Sequence, residues 1–217
     1  MSPLGDAVGT VAIVEIYRRK LRRDDFLRMN LPEDFWRAKV QYVQPSAIKP
    51  VTNYLLKIDR MMALGAGLWL TGGPGVGKTS IAALAAKEAR SRGYTVYFTS
   101  VWELRECARS RIGFDDRLSV MGRCQEVDLL ILDELRVEDR DQAFLGAKEL
   151  QDLISFRRAH SRPTIITTRL KAKELAIQFS GLCSAGDGCM VVIPVEGKNL
   201  RSDREAEIKS ILGIESK

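Results

Sequence analysis

From residue 50 onward the chain alternates between two kinds of apolar spacing. "VTNYLLKIDRMMAL" (51–64) repeats its apolar positions at helical intervals, while "GLWLTG" (67–72) is a short, nearly unbroken apolar run of the kind that fills a strand buried on both faces. "KTSIAALAAKEARSRG" (78–93) then reads as a helix stopped by Gly93, and "YTVYFT" (94–99) as a β-rich strand. "SVWELRECARSRI" (100–112) is a helix with Ser100 as its N-cap, and "VDLLILDE" (127–134) is an apolar strand ending in two carboxylates. A long helix, "DQAFLGAKELQDLISFRRAH" (141–160), leads to the strand "PTIITTR" (163–169). The helix "KAKELAIQFS" (171–180), the strand "CMVVIPV" (189–195) and the helix "NLRSDREAEIKSIL" (199–212) follow. Five strands alternating with helices predict an α/β fold, a parallel sheet covered on both faces.

The first 45 residues follow a different pattern. "VAIVEIYRRKLRRDDFLRM" (11–29) sets Ile13, Ile16, Tyr17 and Leu21 at helical spacing among a cluster of arginines and lysine. "LPEDFWRAKV" restarts after Pro32, which suits the first turn of a helix, and "QPSAIKP" (44–50) reads as a linker. The expected organisation is a short basic helical extension with its linker over 1–45 and one domain over 46–217.

Composition narrows the partners. With 45% hydrophobic and 29% charged residues the chain has the balance of an ordinary globular protein, and its formal charge of +6 suits a polyanion. Four cysteines and one histidine, His160, match no zinc spacing and read as reduced thiols. "VAIVEI" is too short to cross a bilayer and no signal peptide is evident, so a cytoplasmic location and no membrane partner are expected.

The chemistry is concentrated in "GGPGVGKT": Gly72, Gly73, Pro74, Gly75, Val76, Gly77, Lys78 and Thr79, with Ser80 next on the helix. This is G-x-x-x-x-G-K-[ST] without a mismatch, set between a strand and a helix. Glycines allow the backbone to wrap phosphates with its N–H groups, the helix N-terminus adds positive potential, Lys78 reaches the β- and γ-phosphates, and the Thr79 hydroxyl ligates Mg²⁺. "LLILDE" supplies the second half: Asp133 for the Mg²⁺ shell and Glu134 to polarise the attacking water. ATP and Mg²⁺ are the implied cofactors and a P-loop ATPase the implied enzyme. A GTPase would need the guanine-reading N-K-x-D, which the sequence lacks, and no arginine-rich lid of a nucleoside kinase is evident.

The order of these elements, from "LPEDFWRAKV" through "GLWLTGGPGVGKTSIAALAAKEA", "TVYFTSVWELRECAR" and "VDLLILDEL" to "RPTIITTRL", resembles the AAA+ ATPases of the DnaC/IstB family, helicase loaders and transposase helpers, over roughly 31–205. The resemblance implies a five-stranded sheet of order 5-1-4-3-2 and an AAA+ core without a full helical lid. It also implies homo-oligomers with nucleotide at subunit interfaces, assembling on single- or double-stranded DNA and engaging a replicative helicase or, alternatively, a transposase. The helix after the second strand would face DNA, placing Arg105, Arg109 and Arg111 as phosphate contacts or as a solvated face. Arg169 stands where a short polar sensor is usual, with Thr168 beside it to bond phosphate or water. No arginine lies between Leu170 and Asn199, where the family carries its finger. Arg169, Arg158 or Arg162 would then act in trans, or turnover is slow, or the nucleotide only sets the oligomeric state. Arg201 lies where a second sensor arginine would touch nucleotide in cis.

Overall fold

The computed structural model describes residues 20–109, 114–139 and 146–212; Arg111 and the first part of the basic N-terminal run lie outside them. Strands β1 (Gly67–Thr71), β2 (Val96–Ser100), β3 (Leu129–Leu135), β4 (Thr164–Thr168) and β5 (Met190–Pro194) form one sheet in the order β2-β3-β4-β1-β5. Every pairing is parallel. Read from the other edge this is the expected 5-1-4-3-2.

Alternating strand residues feed two separate cores. Leu68, Leu70, Phe98, Ile131 and Ile165 face the helices α2 (Pro45–Leu56), α3 (Ile58–Ala63) and α4 (Lys78–Ser91). On the opposite face Trp69, Leu130, Leu132 and Ile166 meet α5 (Val101–Arg109), α7 (Ala147–Ala159), α8 (Ala172–Gln178) and α9 (Ser180–Ala185). Helix α6 (Phe114–Glu126) lies between α5 and β3 in sequence, and α10 (Leu200–Leu212) follows β5. The alanines of α4, from Ala82 to Ala89, are almost fully buried; with no side chain beyond Cβ they let the helix that carries the phosphate loop press closely on the sheet.

Several local expectations change. The stretch 44–50 is not a linker: Pro45 takes the first position of α2, and Ala47, Val51, Tyr54 and Leu55 are buried along one face. Pro at that position forfeits no helical bond, and the packing outweighs the donor missing at Pro50. The single helix expected over 51–64 breaks at Lys57 into α2 and α3. The small-residue stretch after Phe179 forms α9, and α6 had no expected counterpart. Residue 45 also marks no break in packing. Helix α1 (Arg23–Arg28) leads into Met29 and Leu31, both in the first core, and Asp25 pairs with Arg90 of α4 at 3.1 Å. Phe98 of edge strand β2 donates its N–H to Met29 O at 2.8 Å, and Phe98 O accepts from Asn30 Nδ2 at 2.9 Å. The segment thereby covers part of a sheet edge.

One buried cation holds the far end of the sheet. Arg157 of α7 is 0% exposed. Its guanidinium donates to the carbonyls of Cys124 (2.7 Å), Val127 (2.9 Å), Asp128 (3.2 Å) and Pro163 (2.8 Å), and to Thr164 Oγ1 (2.9 Å). Burial pulls its pKa down to about 9, still above neutrality. The cation therefore sits on the carbonyl-rich end of α6, where the helix dipole favours it. Arg157→Leu leaves those carbonyls buried without donors, at a cost of about 3 kcal/mol. Thermal unfolding of the variant is expected about 6–12 °C below wild type.

Candidate nucleotide site

The phosphate loop sits at the carboxyl end of β1, in the bend before α4. Gly75 has φ +72° and Gly77 has φ +98°, backbone that L side chains rarely adopt. A Cβ on Gly75 would also collide with the Asn199 side chain, which packs on the loop. Lys78 is buried, and its ammonium donates to Gly72 O at 2.7 Å and Gly73 O at 2.5 Å. Burial, and next the nearby Arg169, lower its pKa from the ordinary lysine value. An incoming phosphate would reverse that balance and displace the two carbonyls. Val76 turns its side chain into the core and so offers only backbone to a ligand.

The end of β3 separates its two carboxylates by a kink. The β3–β4 register slips between Leu132 and Leu135, and Glu134 has φ +61°. Such a bulge re-aims successive side chains. Asp133 turns toward the phosphate loop, its Oδ1 accepting from Thr79 Oγ1 at 3.1 Å and Thr167 Oγ1 at 2.6 Å. Burial raises its pKa, and the two hydroxyls oppose that rise. Thr79 and Asp133 are adjacent hard oxygens, which suits one edge of a Mg²⁺ shell completed by water and substrate phosphate.

Glu134 turns the other way. Its Oε1 accepts from Arg169 at 2.7 Å and from Arg136 at 2.9 Å. Burial works against its ionisation, but Arg136 and then Arg169 outweigh it and hold the carboxyl below the usual glutamate range. Both arginines are about half exposed. Solvent therefore screens the pairs, and a ligand can exchange for them.

Thr168 lines the cleft, but its hydroxyl is engaged by backbone. It is buried, and its hydroxyl donates to Leu135 O at 2.8 Å and accepts from Leu170 N at 3.2 Å. Thr167 beside it, also on the cleft, bonds Asp133 and accepts the Glu134 N–H at 2.9 Å. All five residues of β4 are buried, so no exposed face reveals which threonine points to the site. Arg105 is likewise no DNA-facing cation: at 6% exposure its guanidinium is held on Asp139 Oδ1 at 2.6 Å, packed beneath α5. Arg109 closes α5, and nothing places Arg111.

The cleft around the loop, about 1020 Å³, has walls the motif does not reveal. Residues 34–42 supply Phe35 and Tyr42 from two 3₁₀ turns, Glu33–Phe35 and Val40–Tyr42, and Ala38 from between them. The start of α10 supplies Leu200 and Arg201, and the Leu200 N–H donates to Gly75 O at 2.9 Å. Ser80, Thr167 and Arg169 also line the cleft. The 34–42 segment also sets Asp34, Arg37 and Lys39 on the cleft, so its wall mixes two aromatic rings with charged side chains beside the phosphate loop, which suits a nucleoside joined to a polyphosphate. The clue in the sequence was "EDFWRAKVQY", with its aromatic residues close to the phosphate loop's helix in the fold but far from it in the chain.

Comparison with known proteins agrees with this geometry. The crystal structure of DnaI matches with a TM-score of 0.65 at 22% identity, covering 83% of this chain and all of that one. The DnaC helicase loader matches with a TM-score of 0.64 at 21% identity, covering 76% of this chain and all of that one. AMPPCP-bound DnaA from Aquifex aeolicus reaches 0.55 at 19% identity, covering 79% of this chain and 52% of that one. At these identities the likeness is one of fold, that of the P-loop AAA+ ATPases. An insertion-sequence ATP-binding protein of Sinorhizobium fredii is 34% identical over 113 residues, 51% of this chain and 36% of that protein, so the chain spans about a third of that relative's length. The sequence model of the IstB-like ATP binding proteins matches residues 18–183, and with a complete phosphate loop facing Asp133 the chain belongs to that family.

Proposed function

We propose that the protein hydrolyses ATP to switch an assembly on DNA that engages a transposase. The observation that carries the hydrolysis is the divided end of β3, which sends Asp133 to Thr79 and Glu134 to the opposite side of the same cleft. Lys78 and the loop N–H groups would bind the phosphates, while Mg²⁺ between Thr79 and Asp133 would supply charge neutralisation. Glu134 accepts the proton of a water attacking the γ-phosphorus, and the bond to the β–γ bridging oxygen breaks to release ADP. Thr167, already bonded to Asp133 and the Glu134 amide, orients the two carboxylates.

The transposase reading is supported by the insertion-sequence relative and by the IstB-like family match. A helicase loader is the second reading, favoured by the fold likeness to DnaC and DnaI. In either, subunits contribute arginine across the nucleotide interface. Arg162 is committed to Gln125 O at 2.6 Å and Arg169 to Glu134. Arg158 makes only longer contacts, 3.5 Å to Ser184 O and 3.3 Å to Asp187 O, and is the candidate for that role. Arg201 reaches nucleotide from α10 within its own subunit. No helix among the described residues is long and apolar enough to cross a membrane.

Calorimetric titration with MgATP checks the phosphate cradle: Lys78→Ala is expected to lose about tenfold or more in affinity, and unchanged binding would reject the site. Glu134→Gln is expected to keep affinity while turnover falls by about 10²–10⁴. Replacing Arg136 with alanine removes one cation from Glu134. The Glu134 pKa then rises, so the acid limb of the turnover–pH profile moves to higher pH; an unmoved limb would show that Glu134 is not the base. For the partner, protein held with a non-hydrolysable ATP analogue is expected to bind double-stranded DNA with steep salt dependence and to retain a transposase. Preference for single strands with capture of a replicative helicase would favour the loader.

A further inference from the structure

Helix α4 carries a second lysine whose position the phosphate chemistry does not explain. Lys87 lies nine residues beyond Lys78, about 13 Å along the helix axis. It is half-buried, and its ammonium donates to Trp36 O at 3.1 Å and Ala38 O at 2.7 Å. Those carbonyls follow the 3₁₀ turn Glu33–Phe35 and bracket Arg37, in the middle of the wall that faces the cleft. Burial lowers the lysine's pKa, so the contact carries a desolvation cost that a solvated lysine would avoid.

Apart from Lys87 the wall is held by apolar packing, with Phe35, Trp36, Ala38, Val40 and Val43 set against the first core. On its inner side the Trp36 ring stacks on Phe26, with centroids 5.2 Å apart, and Trp36 Nε1 donates to Leu31 O at 2.8 Å. On its outer side Tyr42 is 53% exposed. Two 3₁₀ turns without a regular helix between them have few internal bonds to resist sliding. Lys87 therefore connects the helix that begins at the phosphate loop to the 34–42 segment of the cleft wall. One helix thus bears on two parts of the site: Lys78 lines the cleft, and Lys87, outside it, holds the backbone behind the 34–42 wall.

We propose that Lys87 is a positioning residue for the nucleoside: by holding the Trp36 and Ala38 carbonyls it places Phe35, Ala38 and Tyr42 at the distance from Lys78 that a nucleoside triphosphate requires. The inference rests on the nucleotide reading above and deepens it by separating recognition of the nucleoside from recognition of the phosphates. A preformed wall binds without first being ordered, so loosening it costs affinity for a ligand that touches the wall and not for one that stops short of it.

The test compares MgATP with inorganic tripolyphosphate by calorimetry on the whole chain. Lys87→Met is expected to weaken ATP binding about tenfold while tripolyphosphate binding stays within about twofold, and Lys87→Arg, which keeps donors at that reach, to recover most of the loss. Equal losses for the two ligands, or none, would overturn the proposal. Should Lys87→Met fail to fold, wild-type amide exchange decides. ATP, but not tripolyphosphate, is expected to protect residues 35–43, and equal protection by both would also overturn it. Failure of the underlying reading looks different: wild type would bind neither ligand, or Lys78→Ala would bind both normally.

Discussion

The site depends on one partly buried carboxylate. Asp133 sits where β3, β4 and the helix after β1 converge, and a charge there is tolerated only because hydroxyls from two of those elements point at it. Its bonds to Thr79 and Thr167 bring the phosphate loop and β4 to the end of β3. The strand order makes the arrangement available. β4 lies between β1 and β3, so the loop after β1 and the acidic end of β3 flank the same crevice, where open α/β sheets leave room for a ligand. Breaking the ladder between Leu132 and Leu135 is the local cost of aiming two adjacent carboxylates in opposite directions.

Around Asp133 the site is arranged in matched pairs. Lys78 rests on carbonyls of its own loop and Glu134 rests on two arginines, so the strongest charges each have a partner without ligand. The partners differ in kind. The carbonyls are fixed backbone, whereas the arginines are long, half-exposed side chains that a competing anion can draw away. Arg169 lines both the nucleotide cleft and the adjoining pocket beside Trp102, while Arg136 lines only the latter. A γ-phosphate in the cleft would thus meet only one of the two cations on Glu134.

Much of this was legible in the sequence because it is written in short, contiguous signals. The five strands are near-continuous apolar runs, the phosphate loop is a fixed string, and the Asp133–Glu134 pair closes a strand. What was not legible depends on contacts between distant segments. Thr167 and Thr168 are adjacent in a strand buried on both faces, and only the bulge in the neighbouring strand decides which one meets Asp133. Arg105 has the spacing of a surface residue, yet Asp139, 34 positions away, draws it inward. "QPSAIKP" has a linker's composition, and its helix follows from Ala47, Val51 and Tyr54 reaching a core built by later residues. The cleft wall at 34–42 has no periodicity to mark it, since 3₁₀ turns held by tertiary contacts leave none.

The two segments that close the cleft are stitched to each other. Gln44 Nε2 donates to Lys198 O at 2.9 Å, Ser46 Oγ to Glu196 O at 2.7 Å, and the Glu196 N–H returns to Ser46 Oγ at 3.0 Å. These bonds join residues about 150 positions apart, among the slowest contacts for a folding chain to close. The phosphate loop, at 72–79, is made more than a hundred residues before the segment 196–201 that completes the walls of its cleft. During synthesis the two walls can close on each other only after residues 196–201 have emerged. A nucleotide held by both walls would then report that this late contact has formed.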